Sequence, residues 1–317
     1  MKLLRGFHAV MSRVTAVAMI VPLVVSSYAI WSNNRTYRDA EDVYRDLLRL
    51  KPVVDQEDGS QLPSFDELRQ INSDIQGWLT VDGTKIDYPV VQGENNLYYM
   101  NKDIYKDTSL AGSIFLDSRN KSDFSDPYSI IYGHHMDRSL MFGDLDKFRD
   151  QDFFDATRTA KIITEKGLVP FEVLSVMDTS DSNPLIFDPT TYSNDLSDLY
   201  QELRDHSIHT WDSAMEEFAR YPKQTQIIAL VTCTSGQTGM RLVVFLYHHL
   251  DHEIIAPDRP DPHNHPQTGQ DPFNGSRNPQ TGDSLFNSPS FWLTVLIVSA
   301  VLALVSFCLF WHYKKKE

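Results

Sequence analysis

The sequence predicts a mainly β fold, a small barrel with inserted helices, and a membrane-spanning helix at each end of the chain. Three observations lead to this prediction. Short apolar segments of strand length alternate with turn signals between residues 78 and 247. Two segments with helical periodicity interrupt them after residue 195. Long apolar runs without charges lie near both ends of the 317-residue chain.

The N-terminal apolar run comprises residues 14–31 and follows three basic residues. An apolar run of about 18 residues can just span a bilayer. We therefore expect residues 1–31 to form a cytoplasmic tip and an uncleaved signal anchor. The alternative is a cleaved signal peptide, because Ser27-Tyr28-Ala29 resembles a small-x-small cleavage site.

A helical stalk and linker are predicted over residues 32–63. Apolar residues recur at helical spacing between Val43 and Leu50, and polar residues follow. Ser64 and Glu67 have the spacing of a capping box, which predicts a short helix at the start of a central domain. We place this domain at residues 64–255.

Most of the central domain consists of predicted strands. Asp82-Gly83 and Glu165-Lys166-Gly167 each separate two apolar segments, as in hairpins. Residues 141–148 have the pattern of one helix. The predicted strands are residues 78–81, 85–91, 113–116, 129–132, 160–164 and 170–177, and two further helices are predicted over 196–205 and 213–220.

The last predicted hairpin runs from Gln226 to Tyr247 around a polar loop, Ser235–Gly239. With this loop, Cys233 faces Arg241 across the antiparallel pair, where Cβ atoms are about 5 Å apart. A nearby cation favours the thiolate over the thiol. The pattern fits a catalytic thiolate, and it fits a buried structural cysteine with an arginine at the strand end equally well.

The cysteine count favours the catalytic interpretation. The chain has two cysteines, and Cys308 lies inside the C-terminal apolar run. Cys233 therefore has no plausible disulfide partner, and a free thiol in an exported domain is a liability unless it has a function. The net charge of -14 argues against a nucleic-acid partner, since phosphate binding needs clustered basic residues.

A thiol nucleophile needs a base or a cationic partner. His134 and His135 follow a predicted strand and Gly133, a residue that permits an unusual backbone angle. From spacing alone, two exposed loop histidines remain the favoured alternative. A further histidine cluster at residues 248–252 leaves a strand and enters a linker, so we expect no metal site there.

The C-terminal part is predicted to be an anchor. Residues 256–290 are rich in Pro, Asn, Asp and Gly, which indicates an extended linker. Residues 291–317 are predicted to be a transmembrane helix and a basic tail. Basic residues at both ends indicate cytoplasmic termini, which puts the central domain outside the cell membrane.

A joint pattern of motifs extends over about residues 65–250. Its most specific parts are Tyr132-Gly133-His134, Leu230-Val231-Thr232-Cys233-Thr234 and Arg241-Leu242-Val243-Val244, and residues 71–79, 86–92, 111–117 and 141–145 also contribute. This pattern resembles the sortases, which are cysteine transpeptidases of Gram-positive surfaces. The helical insertion before the cysteine strand is similar to class B sortases in particular.

The resemblance implies an eight-stranded sortase-type β-barrel with a groove that ends at Cys233. It implies that Cys233 is the nucleophile, His134 the general acid/base and Arg241 the residue that steadies the substrate carbonyl and the oxyanion. Thr232 resembles the residue that lines the groove and contacts the sorting motif. His135 stands where class B members often have Asn, so either imidazole is a candidate. No metal or cofactor is expected.

The resemblance also implies a reaction, which is cleavage of a sorting signal between Thr and Gly and transfer of the acyl group to an amine. The expected partners are surface proteins or pilins that carry sorting signals, together with an amine acceptor. We expect a pilin lysine as the acceptor in pilus polymerisation, because of the predicted C-terminal anchor. The alternatives are attachment to cell-wall peptide, simple hydrolysis, and a non-enzymatic surface protein with a decayed site.

One motif fits none of these roles. Asn278-Pro279-Gln280-Thr281-Gly282, a short spacer, the C-terminal apolar run and three lysines together resemble a sorting signal on the enzyme itself. A chance match within a linker of this composition is the favoured alternative.

Overall fold

A computed structural model describes residues 2–52, 63–232 and 239–250. The described residues belong to two compact units, residues 2–39 and residues 40–250. The predicted C-terminal linker and transmembrane helix lie outside the described residues, as does Cys233. The predicted domain boundaries remain a prediction.

The N-terminal apolar run forms part of a single helix, α1 (Lys2–Leu48). From Met11 onwards this helix is long and apolar enough to cross a membrane, with a mean hydropathy of 1.9 in its most apolar window. A signal sequence near an N-terminus has the same properties. Both the anchor and the signal peptide are therefore compatible with α1.

Eight strands close into a barrel, which confirms the predicted fold class. The strands are β1 (Ile75–Val81), β2 (Asp87–Val91), β3 (Ile114–Leu116), β4 (Tyr128–Gly133), β5 (His135–Met136), β6 (Leu140–Met141), β7 (Thr159–Thr164), β8 (Gly167–Ser180), β9 (His209–Thr210), β10 (Thr225–Thr232) and β11 (Met240–His249). Around the barrel the order is β11-β10-β4-β3-β2-β1-β7-β8, and pairing of β8 with β11 closes the ring. Strand β9 adds to β8, and β5 pairs with β6 apart from the barrel.

One short helix precedes β1, and the others occupy connections between the strands. They are α2 (Pro63–Ile71), α3 (Gln151–Ala156), α4 (Pro184–Phe187), α5 (Ser197–His206) and α6 (Asp212–Arg220), together with 3-10 helices at Tyr98–Asn101, Gly143–Arg149 and Pro189–Thr191. The prediction of one helix over residues 141–148 was wrong at its start. The N–H of Met141 donates to the hydroxyl of Tyr88 (2.9 Å), and the N–H of Phe142 donates to the carbonyl of His134 (2.9 Å). Because these bonds leave the segment, the helical turn begins only at Gly143.

One face of strands β4, β8, β10 and β11 packs against the inserted helices α5 and α6. We call this apolar cluster the insertion core. It includes Tyr128, Ile130, Met177, Leu199, Leu203, Phe218, Ile227, Ala229, Val231, Val243, Phe245 and Tyr247, all of them buried. Side chains alternate between the two faces of a strand. Even-numbered residues of β4 and odd-numbered residues of β10 and β11 therefore share this face.

A second apolar cluster lies where the last turns of α1 and helix α2 pack on the barrel. It includes Leu47, Phe65, Leu68, Trp78, Val91 and Phe115. The ammonium of Lys51 reinforces this contact, because it lies 2.7 Å from the carboxylate of Asp87 on β2. The residues from Ala40 to Lys51 thus belong to the barrel unit.

Candidate active site

The β10–β11 hairpin has the register that the sequence predicts. In the described part, the pairing extends to Val231 opposite Val243. The hydroxyl of Thr232 also donates to the carbonyl of Leu242 at 3.4 Å. Cys233, the next residue of the chain, lies outside the described residues. Its pairing with β11 therefore stays a prediction.

The parallel pairing of β4 with β10 brings His134 to the same end of the barrel. Thr232 pairs with Gly133, and His134 is the next residue. Neighbouring strands are about 4.8 Å apart. Since β4 and β11 flank β10, His134 and Arg241 lie on the two sides of the strand that leads to Cys233.

The neighbouring strand residues predict the same face of the sheet for His134 and Arg241. Tyr132, two residues before His134, packs against the insertion core. Val243, two residues after Arg241, is part of that core. Alternation along β11 assigns Arg241 to the face of the insertion core. His134 directly follows the last residue of β4, and continuing the alternation of β4 by one residue predicts the same face for it.

The imidazole of His134 is held by the 3-10 helix Tyr98–Asn101 in the connection before β3. Its Nε2 lies 2.6 Å from the carbonyl oxygen of Met100. A carbonyl can only accept a hydrogen bond, so Nε2 carries a proton and donates it to Met100, which leaves Nδ1 as the nitrogen that can exchange protons. Gly112, with φ +60°, permits this close approach, since a Cβ there would lie 2.6 Å from the Met100 carbonyl oxygen and 2.9 Å from Cδ2 of His134.

Gly133 was expected from the sequence to adopt an unusual backbone angle. The structure shows a different reason for glycine, which is that a Cβ here would clash with neighbouring side chains. Gly133 is absent from the glycines with positive φ. A Cβ at this position would lie 2.4 Å from Cδ1 of Ile114 and 2.8 Å from the ring of Phe142. This close packing fixes the end of β4 and thereby the start of the segment that carries His134.

His135 has a different environment from His134. It begins β5, which pairs with β6 apart from the barrel. Its Nε2 lies 2.7 Å from a carboxylate oxygen of Asp146 in the following 3-10 helix. The geometry therefore favours His134, which adjoins the strand that leads to Cys233, over His135, which belongs to the separate β5–β6 pair.

Arg241 contacts an acidic residue that the sequence analysis did not identify. Its Nη2 donates to Oδ2 of Asp181 at 3.3 Å, and the arginine side chain is 20% exposed. Asp181 follows β8, sixty positions earlier in the chain. No local pattern could have signalled this contact, because it depends on the pairing that closes the barrel.

Thr232 lies within the barrel wall. It is 2% exposed, and alternation assigns it to the face opposite Val231 and the insertion core. Its hydroxyl is bonded to Leu242 in the partner strand. The predicted contact of Thr232 with a sorting motif stays a prediction.

Comparison with known families identifies the chain. The Sortase domain family matches residues 79–248. The chain belongs to the sortase family. Sortases are cysteine transpeptidases, so this family is a family of enzymes.

The relatives show that this sortase is class B-like. It is 36% identical to Sortase B of Listeria monocytogenes over 169 residues, which cover 53% of this chain and 65% of that protein. It is 31% identical to Sortase B of Staphylococcus aureus over 184 residues, which cover 57% of this chain and 73% of that protein. The match thus spans just under two thirds of the Listeria protein. The crystal structure of Spy0129 of Streptococcus pyogenes, a class B sortase involved in pilus biogenesis, superposes with a TM-score of 0.51 and 37% identity over 58% of this chain and 96% of that one.

A buried carboxylate anchors the sortase strand that leads to His134. Asp117 follows β3 and is fully buried. The guanidinium of Arg119 donates to both of its oxygens, at 2.9 and 2.8 Å. The hydroxyl of Tyr132 on β4 (3.2 Å) and the amide of Asn96 (2.9 Å) also donate to it. Burial alone would raise the pKa of Asp117, but the hydrogen bonds and charge of Arg119 more than offset this, so that the pKa lies below its usual value.

We expect Arg119→Met to destabilise the sortase by about 2–3 kcal/mol at neutral pH. Removing one partner of a buried ion pair typically costs about 3–5 kcal/mol. We expect a smaller loss here, because Arg119 is 41% exposed and solvent screens its charge. Because the pKa of Asp117 is lower in the folded protein than its unfolded value of about 4, its ionised carboxylate stabilises the fold fully above that pH. This stabilisation is lost as the pH falls through the folded pKa. In urea unfolding, the difference in the free energy of unfolding between the wild type and the variant should therefore become smaller below about pH 4.

The matched control is Arg204→Met, which removes an arginine from an exposed pair with Asp205. We expect this control to keep the unfolding midpoint of the wild type. A variant at Arg119 that unfolds at the same urea concentration as the control would contradict the stabilising role of the Asp117 network.

No metal site is visible in the part of the sortase that the structure describes. Among those residues, no group of three His, Cys, Asp or Glu side chains is close enough to hold a metal ion. The histidine cluster at residues 248–252 is described only to residue 250. Within it, the ring of His248 contacts that of Phe171, with 5.6 Å between the centroids.

Proposed function

We propose that this sortase is a membrane-anchored transpeptidase that cleaves a sorting signal between Thr and Gly and transfers the acyl group to an amine. The observation that carries the proposal is the position of His134 and Arg241. They lie on either side of the strand that leads directly to Cys233, and the alternation of β4 and β11 predicts one face of the sheet for both. Nucleophile, acid/base and oxyanion donor would then meet at one end of the barrel.

In this proposal, Cys233 continues the register of β10 by one residue. It would then neighbour His134, the residue after β4, and face Arg241 on β11, and continued alternation would place all three side chains on one face. The guanidinium favours the thiolate form of the cysteine. The thiolate attacks the carbonyl carbon of the Thr–Gly bond and forms a carbon–sulfur bond.

His134 is proposed to move the protons. It takes the proton of the Cys233 thiol, and the resulting imidazolium gives that proton to the Gly nitrogen as the carbon–nitrogen bond breaks, which leaves a thioester on Cys233 and releases the C-terminal fragment. An incoming amine then attacks the thioester carbonyl and gives its proton to His134. The carbon–sulfur bond breaks, and the thiolate of Cys233 is restored.

Arg241 is proposed to stabilise the oxyanion that forms in both steps. Its side chain is largely buried, which strengthens a charged hydrogen bond relative to one in water. One such donor typically stabilises the transition state by about 3–4 kcal/mol. Neither a metal nor a cofactor is needed for these steps.

The acceptor amine is proposed to be a pilin lysine, so that the enzyme polymerises pilus subunits. Two points support this choice. The 37% identical sortase Spy0129 is involved in pilus biogenesis, and a C-terminal membrane anchor is predicted from the sequence. The proposed location is the cell membrane, with α1 as an anchor and the barrel outside, where exported substrates emerge.

The test is a ligation assay with the full chain in detergent. A fluorescent peptide with a Thr-Gly cleavage site is offered together with a lysine-containing pilin peptide or with a short cell-wall peptide. We expect a ligated product, formed faster with the lysine peptide. Preference for the cell-wall peptide would contradict the pilin role, hydrolysis alone would contradict transpeptidation, and absence of any acyl-enzyme would contradict the enzymatic role.

A further inference from the structure

We propose that Asp181 is the positioning residue for Arg241, which means that its carboxylate fixes where the guanidinium points. This inference rests on the proposed function of Arg241 as the oxyanion donor. It goes beyond that function, because it names the residue that aims the donor.

The pairing of β8 with β11 brings the two residues together. Arg241 pairs with Thr179, and Val243 pairs with Met177 of the insertion core. Thr179 therefore shares the face of Arg241, and Asp181 follows two residues later. Oδ2 of Asp181 lies 3.3 Å from Nη2 of Arg241. The acidic residue thus adjoins the guanidinium on the side of β11 that is away from β10.

Asp181 is itself held in place by its loop. Its backbone N–H donates to the carbonyl of Gly239 (2.8 Å), which ties the end of β8 to the start of β11. The side-chain amide of Asn183 donates to the hydroxyl of Thr179 (3.0 Å) and to the carboxylate of Glu202 on α5 (2.8 Å). The loop that carries Asp181 is therefore fixed to the barrel and to the inserted helices.

A fixed partner is useful to an arginine that must stabilise an oxyanion. The side chain has many rotamers, and a donor is effective only within about 2.7–3.1 Å of the developing charge. The guanidinium has five N–H donors in a rigid fork, so a bond at one nitrogen sets the direction of the others. Asp181 is 46% exposed, and a pair this exposed contributes little to folding. Its loss should therefore change the rate and leave the stability almost unchanged.

The experiment measures single-turnover acyl-enzyme formation on Cys233 with the fluorescent sorting peptide. We expect Asp181→Ala to lower the acylation rate about 5- to 20-fold, with less than about a twofold change in the peptide concentration at half-maximal rate. Asp181→Asn retains an oxygen acceptor and should recover part of the loss. The matched control, Asp205→Ala, removes an exposed carboxylate from the end of α5 and should keep the wild-type rate.

A double-mutant cycle separates positioning from a general structural role. In an Arg241→Lys background, Asp181→Ala should change the acylation rate by less than about twofold. An equal loss in both backgrounds, or no loss in the wild-type background, would overturn the inference while leaving the transpeptidase function intact.

A wild-type chain that forms no acyl-enzyme would instead overturn the proposed function and, with it, the catalytic part of this inference. The geometric part is tested without turnover, by a crystal structure of the Asp181→Ala variant. We expect the guanidinium of Arg241 to leave its wild-type position. An unchanged guanidinium would refute positioning by Asp181 whatever the activity.

Discussion

Cys233→Ala is expected to abolish acyl-enzyme formation, with a loss of at least about 10⁴-fold in turnover. The proposed reaction passes through a thioester, and alanine has no group that can form one. Loss of a nucleophile removes most of the rate enhancement of such a site, because its members act as a unit. Intact-mass spectrometry after incubation with a sorting peptide would show the adduct on the wild type and none on the variant.

The chain provides its own control for this experiment. Cys308 is the only other cysteine, so Cys308→Ala leaves a single thiol. We expect this variant to form the adduct at the rate of the wild type. An adduct on Cys233→Ala at the wild-type rate would show that another residue is the nucleophile, and the assignment of Cys233 would be wrong.

His134→Ala is expected to lower kcat/KM by about 10²–10⁴-fold, the usual contribution of a general acid/base. Its neighbour offers a matched comparison, since His135→Ala removes the same side chain one residue later. His135 belongs to β5, apart from the barrel, and its Nε2 is bonded to Asp146. We therefore expect its loss to reduce kcat/KM by less than about tenfold.

Steady-state kinetics of the two variants would decide between the imidazoles. Circular dichroism should first show that both variants are folded, because each histidine makes one of the contacts described above. A larger loss for His135→Ala than for His134→Ala would contradict the assignment from the register of β4 and β10.

The barrel and the register of the last hairpin could be predicted from the sequence for a physical reason. A polar loop between two apolar strands fixes which residues face each other, since register follows from loop length. The pairing of Val231 with Val243 confirms this register along the described part. The fold class could be predicted because the sequence motifs extend over most of the barrel.

The environment of the site could not be predicted, because it depends on contacts between distant parts of the chain. Asp181 reaches Arg241 only through closure of the barrel by β8 and β11. Met100 reaches His134 from a loop 34 positions earlier. Such contacts leave no periodic signal, whereas a strand or a helix does.

Gly133 was correctly singled out from the sequence, but the physical reason expected for it was wrong. Gly133 stands out in the sequence between a strand and two histidines, and a special backbone angle was the expected cause. Close packing against Ile114 and Phe142 is the actual cause. A sequence shows that glycine occupies such a position. The residues that a larger side chain would collide with are known only once the fold is known.

The central claim is that one sulfur, one imidazole and one guanidinium share a face at one end of the barrel. A crystal structure of the enzyme with a thiol-reactive sorting-peptide analogue attached to Cys233 tests it most directly. The account predicts Sγ of Cys233 within about 4 Å of the imidazole of His134, with the guanidinium of Arg241 about 3 Å from the oxygen of the analogue that represents the oxyanion. A sulfur on the opposite face of β10, beyond the reach of both side chains, would contradict it.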